Sequence, residues 1–225
     1  MSVHLYVMRH GQSHVNLADL TVSHRDEPLT DVGVAQAEAA AVYIAENLQL
    51  DGIFASTVAR AAQTAQLVSD ASGVALQSEG RLREIGTAHP DGTAVSESDL
   101  RPYVPKMWGT QRPYEPVTKG GESWMQFRSR VGSFLESIVP VRGRFGDPTT
   151  LPTEHDNEHY LVVCHAGVIE AIFEYVFEKG PWSAVAIHTS HTGLTHLQYS
   201  PMADMPDWWL HFHNRIVHLP PDLVT

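Results

Sequence analysis

Two histidines of the chain stand in matching surroundings, each directly after an apolar run and close to a glycine. His10 lies in the segment Val7-Met8-Arg9-His10-Gly11, and His165 lies in Val163-Cys164-His165-Ala166-Gly167. The nearby glycine lets the backbone turn tightly or come close to a ligand. An imidazole can act there as a nucleophile or as a proton carrier. One such histidine alone is equally well explained as a hydrogen-bonded turn residue, but two in matching positions favour a chemical role.

Two arginines extend this pattern toward phosphate chemistry. Arg9 directly precedes His10, and Arg60 falls near the start of a helix predicted over residues 58–69. A planar guanidinium can bond two phosphate oxygens at once, and the N-terminus of a helix adds the positive end of its dipole. Taken alone, Arg60 would be interpreted as a solvated helix arginine. Together with Arg9 and His10, it predicts a pocket for a dianion.

Hydrophobic periodicity divides the chain into alternating strands and helices. Strands are predicted over residues 3–8, 53–55 and 160–164, with further extended stretches at 82–85, 185–188, 195–199 and 208–213. Helices are predicted over residues 31–48, 58–69, 122–139 and 168–177, the first with Thr30 as its N-cap. This alternation predicts an α/β fold, a three-layer α/β/α sandwich with a mostly parallel central sheet. Ligands of such sheets bind at the carboxyl ends of the strands, where Arg9, His10, Arg60 and His165 fall.

Residues 1–225 are interpreted as a single domain without internal repeats. Within it, five prolines interrupt residues 86–120, so this segment is predicted to be an insertion or lid that faces the substrate. A second polar loop is predicted over residues 140–158, and substrate specificity is expected to lie in these two segments. Tyr103, Trp108 and Tyr114 are candidates to contact a substrate, and a small local core under the loop explains them equally well.

The composition is that of a folded protein with an acidic surface. The 225 residues include 15 Lys and Arg against 26 Asp and Glu, for a net charge of −11, and 43% are hydrophobic. This balance argues against nucleic acids and anionic membranes as partners. No run approaches the ~20 apolar residues of a membrane helix, and the lone Cys164 cannot form an intramolecular disulfide. The sequence therefore predicts a soluble cytoplasmic protein, and it leaves a monomer and a homodimer both open.

Histidine is unusually frequent, with 14 copies, several of them near the end of the sequence. The members of that group are His188, His191, His196, His211, His213 and His218. A zinc site on a helix would need ligands at i, i+4 spacing, and this region is strand-like and lacks cysteines or a carboxylate-rich frame. Surface or supporting roles are therefore preferred, and neither a metal nor another cofactor is predicted.

Several ordered motifs resemble those of the histidine phosphatase superfamily, the phosphoglycerate-mutase-like proteins. Arg9-His10-Gly11 after an N-terminal strand is similar to the family signature, and His165-Ala166-Gly167 is similar to its second histidine motif. Family segments are also matched at residues 28–37, 56–65, 82–85, 120–123 and 214–219, so the resemblance spans almost the whole chain.

The resemblance implies a phosphoglycerate-mutase-like fold and a hydrolase of small phosphomonoesters that acts through a phosphohistidine. His10 would attack phosphorus, and Glu84 would protonate the leaving group and then activate water. Arg9, Arg60 and His165 would hold the phosphoryl oxygens. The remaining positions implied to contact the substrate are Gly11, Asn16 and Ala166.

Two alternatives stay open within this resemblance. The segment after Glu84 departs from the family pattern, so His89 or Asp91 could be the proton donor instead. An isomerase of the phosphoglycerate mutase type is the alternative function, although the basic clamp that distinguishes that branch is not found in residues 86–120.

Overall fold

The computed structural model describes residues 2–17, 26–86, 89, 113–116, 120–139, 157–177, 187–201 and 205–225. In this part of the chain one sheet contains six strands: β1 (Val3–Arg9), β2 (Gly52–Ser56), β3 (Leu76–Glu79), β4 (Glu158–Cys164), β5 (Leu194–Tyr199) and β6 (Trp208–Arg215). Their order is β3-β2-β4-β1-β5-β6. The strands β3, β2, β4 and β1 are parallel to one another, and β5 and β6 add an antiparallel pair at one edge. The predicted, mostly parallel sheet is confirmed.

The α-helices of the described residues are α1 (His14–Leu17), α2 (Asp31–Asn47), α3 (Ala59–Ser72), α4 (Trp124–Ile138) and α5 (Ala166–Val176). One face of the sheet packs against α2 and α3, and the other packs against α4 and α5. Both faces of the central strands are therefore buried, which explains why β1 and β4 are continuous apolar runs. The three-layer sandwich predicted from the alternation of elements is confirmed.

The helix boundaries follow from local capping. The hydroxyl of Thr30 accepts the N–H of Gly33 at 3.0 Å and begins α2, as predicted. Gly73, with φ of +73°, ends α3 in the left-handed conformation that glycine adopts at low cost. A capping box between Ser123 and Gln126 begins α4.

The structure differs from the predicted elements near residues 76–85. The extended piece predicted over residues 82–85 was wrong, because the strand lies earlier, at Leu76–Glu79, and a short 3-10 turn follows over Gly80–Leu82. That turn forms because the carboxylate of Glu79 accepts the N–H of Arg81 at 2.9 Å. Residues 187–188 form no strand, and neither α1 nor the 3-10 turn at Pro221–Leu223 was predicted.

Several predictions fall on residues outside the described part of the chain. These are most of the proposed lid at 86–120 with Tyr103 and Trp108, most of the loop at 140–158, and residues 185–186. Tyr114 is described, and its side chain is exposed. No helix among the described residues combines the length and the apolar character needed to cross a membrane.

Candidate active site

The two predicted histidines meet at the carboxyl edge of the sheet. Strands β1 and β4 are parallel neighbours in which Arg9 pairs with Cys164, and the N–H of His10 donates to the carbonyl of Cys164 at 2.9 Å. This register places His10 and His165 directly after the two strand ends, with ring centres 5.1 Å apart. Both side chains are buried.

Two hydrogen bonds define the state of the His10 ring. Its Nδ1 lies 2.6 Å from the carbonyl oxygen of Gly11, to which only a protonated nitrogen can donate, and its Nε2 accepts the Nε–H of Arg60 at 3.0 Å. Burial, and next the charge of Arg60, lower the pKa of His10 well below its usual value. The ring is therefore a neutral imidazole with its lone pair on Nε2, the form that can act as a nucleophile.

The arginines come from two different elements. Arg60 lies in the first turn of α3 and is almost completely buried, with 2% of its surface exposed. Arg9 ends β1, and its Nη1 donates to the carbonyl of Thr189 at 2.6 Å, while its buried Nε has no partner among the described residues. The first N–H of α3, that of Ala59, is taken by the carboxylate of Asp26. The guanidinium groups, more than the helix dipole, therefore supply the positive charge of the site.

His165 is oriented from the neighbouring strand β2. Its Nε2 lies 2.9 Å from the hydroxyl of Ser56, the last residue of β2, and its Nδ1 is buried without a partner in the described part of the chain. Burial, and then the charges of Arg60 and Arg9, lower the pKa of His165 well below its usual value. The ring is therefore neutral, and its Nδ1 is left for a ligand.

Glu84 reaches the same edge from the loop after β3. Its Oε1 accepts the N–H of Ile85 at 2.9 Å, and its Oε2 accepts the N–H of Gly167, in the first turn of α5, at 3.1 Å. A side chain at Gly167 would collide with this carboxylate, so the glycine allows the contact. Burial raises the pKa of Glu84, although the two N–H bonds and then the charges of Arg60 and Arg9 act in the opposite direction. A carboxyl with a raised pKa suits proton transfer.

A buried ion pair anchors the segment that carries Glu84. Arg130 of α4 pairs with Glu122, and its guanidinium also donates to the carbonyl oxygens of Arg81 at 2.6 Å and Arg83 at 3.1 Å. The other candidates for the proton donor are placed differently. His89 contacts the carbonyl of Gly120 through Nδ1 at 2.8 Å, and Asp91 lies outside the described residues.

The three remaining predicted residues lie beside the site with defined backbone roles. The N–H of Gly11 donates to the hydroxyl of Thr64 at 3.1 Å, so Gly11 presents its carbonyl to His10. Asn16 is exposed, and its Oδ1 accepts the N–H and the hydroxyl of Ser13. Ala166 begins α5, where backbone N–H groups have no partner within the helix. Contact of these three residues with substrate stays a prediction.

Several residues that complete the site were not predicted from the sequence. Ser56 and Thr64 orient His165 and Gly11, and both lie inside the motif quoted at residues 56–65. His191 was assigned a surface or supporting role, but it is buried, and its ring centre lies 5.9 Å from that of His10. No local pattern marks it, because it approaches His10 from a loop 181 positions further along the chain.

Four other histidines line up across four adjacent strands, on the face of the sheet that carries α2 and α3. The stack runs His159, His4, His196 and His211, with successive ring centres 4.4, 5.2 and 4.3 Å apart. In the described part of the chain, no three histidine, cysteine or acidic side chains are grouped so that they could hold a metal ion.

The sequence and the fold of this chain are similar to those of known proteins. A model of the histidine phosphatase superfamily (branch 1) matches residues 5–209. A 2,3-bisphosphoglycerate-dependent phosphoglycerate mutase of Mesorhizobium japonicum is 33% identical over 166 residues, covering 70% of this chain and 78% of that one. A protein of Hydrogenobacter thermophilus, provisionally named phosphoserine phosphatase 2, is 28% identical over 197 residues, covering 86% and 88%.

Among solved structures, a mycobacterial glucosyl-3-phosphoglycerate phosphatase has the same fold. Its TM-score is 0.69 at 21% identity, and the match covers 95% of this chain and 99% of that one. The family model extends over most of the sequence, and the two strand ends bring its characteristic Arg-His-Gly segment and second histidine together. This chain belongs to the histidine phosphatase superfamily.

Proposed function

We propose that this protein hydrolyses small phosphomonoesters through a phosphohistidine formed on His10. The proposal rests on the position of the lone pair on Nε2 of His10. The hydrogen bond from Nδ1 to the carbonyl of Gly11 places this lone pair on Nε2, next to the guanidinium of Arg60. A neutral nucleophile beside the buried Arg60 and the partly buried Arg9 suits attack on a dianionic phosphoryl group. Glu84 supplies the proton chemistry from the N-terminus of α5.

In the first half-reaction, Nε2 of His10 attacks phosphorus in line with the ester oxygen. Arg60 gives up its bond to Nε2 and, with Arg9 and His165, binds the phosphoryl oxygens. The N–P bond forms while the P–O ester bond breaks, and the carboxylic acid of Glu84 donates its proton to the leaving alkoxide. The products are a free alcohol and phosphohistidine.

The second half-reaction regenerates the enzyme. The Glu84 carboxylate accepts a proton from water, whose oxygen attacks phosphorus as the N–P bond breaks. The electron pair of that bond returns to Nε2 of His10, and inorganic phosphate leaves. In both steps the charges of Arg9 and Arg60 neutralise the phosphoryl oxygens and His165 adds a hydrogen bond, so we propose that no metal or other cofactor takes part.

The substrate class follows from the charge distribution and the relatives. The net charge of −11 surrounds a local positive site, and such an outer field disfavours polyanions relative to small, sparsely charged phosphomonoesters. The phosphatase names among the relatives also point to small phosphorylated metabolites. Residues 86–120 are proposed as the lid that selects among them, and Asn16 and Ala166 as further contacts to the phosphate.

A cytoplasmic setting belongs to the same proposal. Cys164 is the lone cysteine of the sequence, it is buried in β4, and burial raises the pKa of its thiol. A protein without an intramolecular disulfide suits a reducing compartment.

The test compares wild-type protein with His10→Ala on a panel of phosphorylated sugars, nucleoside monophosphates, phosphoserine and phosphoglycerates. Wild type should release phosphate from some of these esters, ranked by kcat/KM, and acid quenching should trap acid-labile phosphate on the chain. His10→Ala should lose turnover and trapping together. Turnover retained by His10→Ala would refute the proposal.

The matched control is His211→Ala, an exposed histidine of β6. Its ring stacks near His4, six residues before His10 and therefore about 20 Å along β1 from the nucleophile. It should keep wild-type turnover.

The relatives named as phosphoglycerate mutases favour a second candidate function. A mutase would pass the phosphoryl group of His10 back to a second hydroxyl of the substrate instead of to water. It predicts interconversion of phosphoglycerates stimulated by 2,3-bisphosphoglycerate. Hydrolysis without that interconversion, at high enzyme concentration, decides for the phosphatase.

A further inference from the structure

We propose that His191 is a phosphate-binding residue that donates its Nε2–H to a phosphoryl oxygen of the substrate and of phosphohistidine. The inference rests on the proposed function and adds a third imidazole to the site. His191 lies in the loop before β5, where the next residue, Thr192, donates its N–H to the carbonyl of Arg9 at 3.0 Å. That bond fixes the loop to the end of β1, so His191 is held beside His10.

Three buried nitrogens next to the nucleophile have no hydrogen-bond partner among the described residues. They are Nε of Arg9, Nδ1 of His165 and Nε2 of His191. Buried polar atoms in folded proteins are nearly always satisfied, so a group of unsatisfied ones indicates a ligand. Arg9 and His165 are already proposed to bind phosphate, and the same anion would satisfy His191.

A chain of hydrogen bonds links the amide of Gln36 to the ring of His191. The amide of Gln36 can be oriented in only one way, because its Oε1 accepts the N–H of Gln12 at 2.8 Å and its Nε2 donates to the carbonyl of Leu223 at 2.7 Å. The same Nε2 donates to the hydroxyl of Thr225 at 2.8 Å.

That hydroxyl lies 2.8 Å from Nδ1 of His191. The oxygen of Thr225 accepts an N–H from Gln36, and its own O–H can donate to Nδ1 of His191. A neutral imidazole that accepts at Nδ1 carries its hydrogen on Nε2. In this tautomer Nδ1 accepts from Thr225, and the unpartnered Nε2 is a donor that can bind a phosphoryl oxygen.

The ring also stays neutral. Burial, and then the charge of Arg9, lower the pKa of His191 to about 3, although a hydrogen bond with the backbone of Thr225 acts in the opposite direction. A neutral donor can bind an anion without adding a further positive charge beside Arg9 and Arg60. His191 would therefore strengthen phosphate binding across the whole neutral pH range.

The experiment measures inorganic phosphate binding by equilibrium titration, which needs no turnover, for wild type, His191→Phe, Thr225→Val and Thr225→Ser. Phe keeps a ring but no donor, and its affinity for phosphate should fall about 10- to 100-fold, the usual effect of losing a hydrogen bond to a charged group. Thr225→Val should weaken binding in the same direction, and Thr225→Ser, which keeps the hydroxyl, should restore it.

Nitrogen-15 NMR of the histidine rings provides a readout that a packing role would not change. Wild type and Thr225→Ser should show the His191 proton on Nε2, with a resonance that shifts when phosphate is added. The inference would be overturned if His191→Phe bound phosphate as tightly as wild type, or if the His191 proton of wild type were on Nδ1. It would also be overturned if wild type did not bind phosphate. If His191→Phe does not fold, the Thr225 pair and the NMR tautomer decide. Phosphate binding that depends on His191 without any turnover would refute the proposed function and leave this inference standing.

Discussion

Replacing Glu84 with Gln tests whether this carboxyl transfers protons or only positions the phosphate. Glu84 accepts one N–H on each oxygen, from Ile85 and from Gly167. An amide has a single accepting oxygen, so Glu84→Gln keeps the shape of the side chain, loses one of these bonds and loses the acid. The lost bond is worth about 1 kcal/mol, or about fivefold in rate, and it affects all substrates alike.

The loss of the acid depends on the leaving group. For an alkyl phosphate, the alkoxide needs a proton as the P–O bond breaks, so kcat/KM should fall about 10²- to 10⁴-fold, which corresponds to about 3–5 kcal/mol. For a nitrophenyl phosphate, the phenolate leaves without a proton, and kcat/KM should fall only by the roughly fivefold effect of the lost hydrogen bond.

The assay is steady-state hydrolysis of an alkyl and a nitrophenyl ester, followed by stopped-flow measurement of nitrophenolate release. Water attack still needs the Glu84 base, so the variant should release about one equivalent of nitrophenolate per site in a burst and then turn over slowly. Glu38→Gln, an exposed change on α2, is the control and should match wild type. Equal losses of kcat/KM for the two esters would refute the proton-transfer role.

The same variant has a pH signature. Burial raises the pKa of Glu84, so its acid form persists above the usual range of a carboxyl, and ionisation of Glu84 should produce the alkaline limb of kcat/KM for the alkyl ester. The pKa of His10 is lowered, so the neutral nucleophile persists below pH ~6.5. Glu84→Gln should remove the alkaline limb and leave the acid limb unchanged.

Two further predictions concern stability. Burial and the neighbouring His211 and His4 lower the pKa of His196 to about 4. Because a histidine of the unfolded chain has a pKa of about 6.5, the unfolded chain binds more protons, and the stability of the protein falls as the pH drops from ~6.5 towards 4. His196→Gln should make that fall shallower in urea midpoints measured at pH 7 and pH 5, and an unchanged pH dependence would contradict the prediction. Glu122→Gln leaves Arg130 buried without its anion and should lower the free energy of unfolding, measured in urea, by about 3–5 kcal/mol. A decrease of less than about 1 kcal/mol would show that water reaches the ion pair.

Those parts of the fold with strong local signals could be predicted from the sequence. The apolar runs that become β1 and β4, and the Thr30 cap of α2, are encoded within a few residues. Strand β3 was missed because it is a short edge strand of mixed polarity, Leu76–Glu79, with no buried residue to mark it. The turn after β3 forms because the Glu79 carboxylate accepts hydrogen bonds from the N–H and the Nε–H of Arg81. The apolar pattern of the next residues, which predicted an extended segment, does not show this interaction.

His191 shows why part of the site could not be predicted. The hydrogen-bond chain that reaches its ring passes through Gln36 and Thr225, which are 189 positions apart and share no motif. Hydrogen-bond relays of this kind are created by tertiary packing, so a single sequence carries no periodicity or spacing that would indicate them. A histidine at this position of the sequence fits a surface residue, a metal ligand or a phosphate donor. Its burial beside His10 distinguishes between these alternatives.

The sign of the Glu84 pKa shift depends on tertiary burial and could not be predicted from the sequence. Arg9 and Arg60 are needed to bind phosphate, and their charges favour the ionised carboxylate, which is useless as an acid. The sequence contains both influences and cannot weigh them. In the structure, burial beside α5 exceeds the effect of the two arginines and of the N–H bonds from Ile85 and Gly167, so the pKa of Glu84 rises. One buried pocket can therefore hold a dianion with cations and still keep a proton donor beside it, because desolvation acts on the acid more strongly than the cations do.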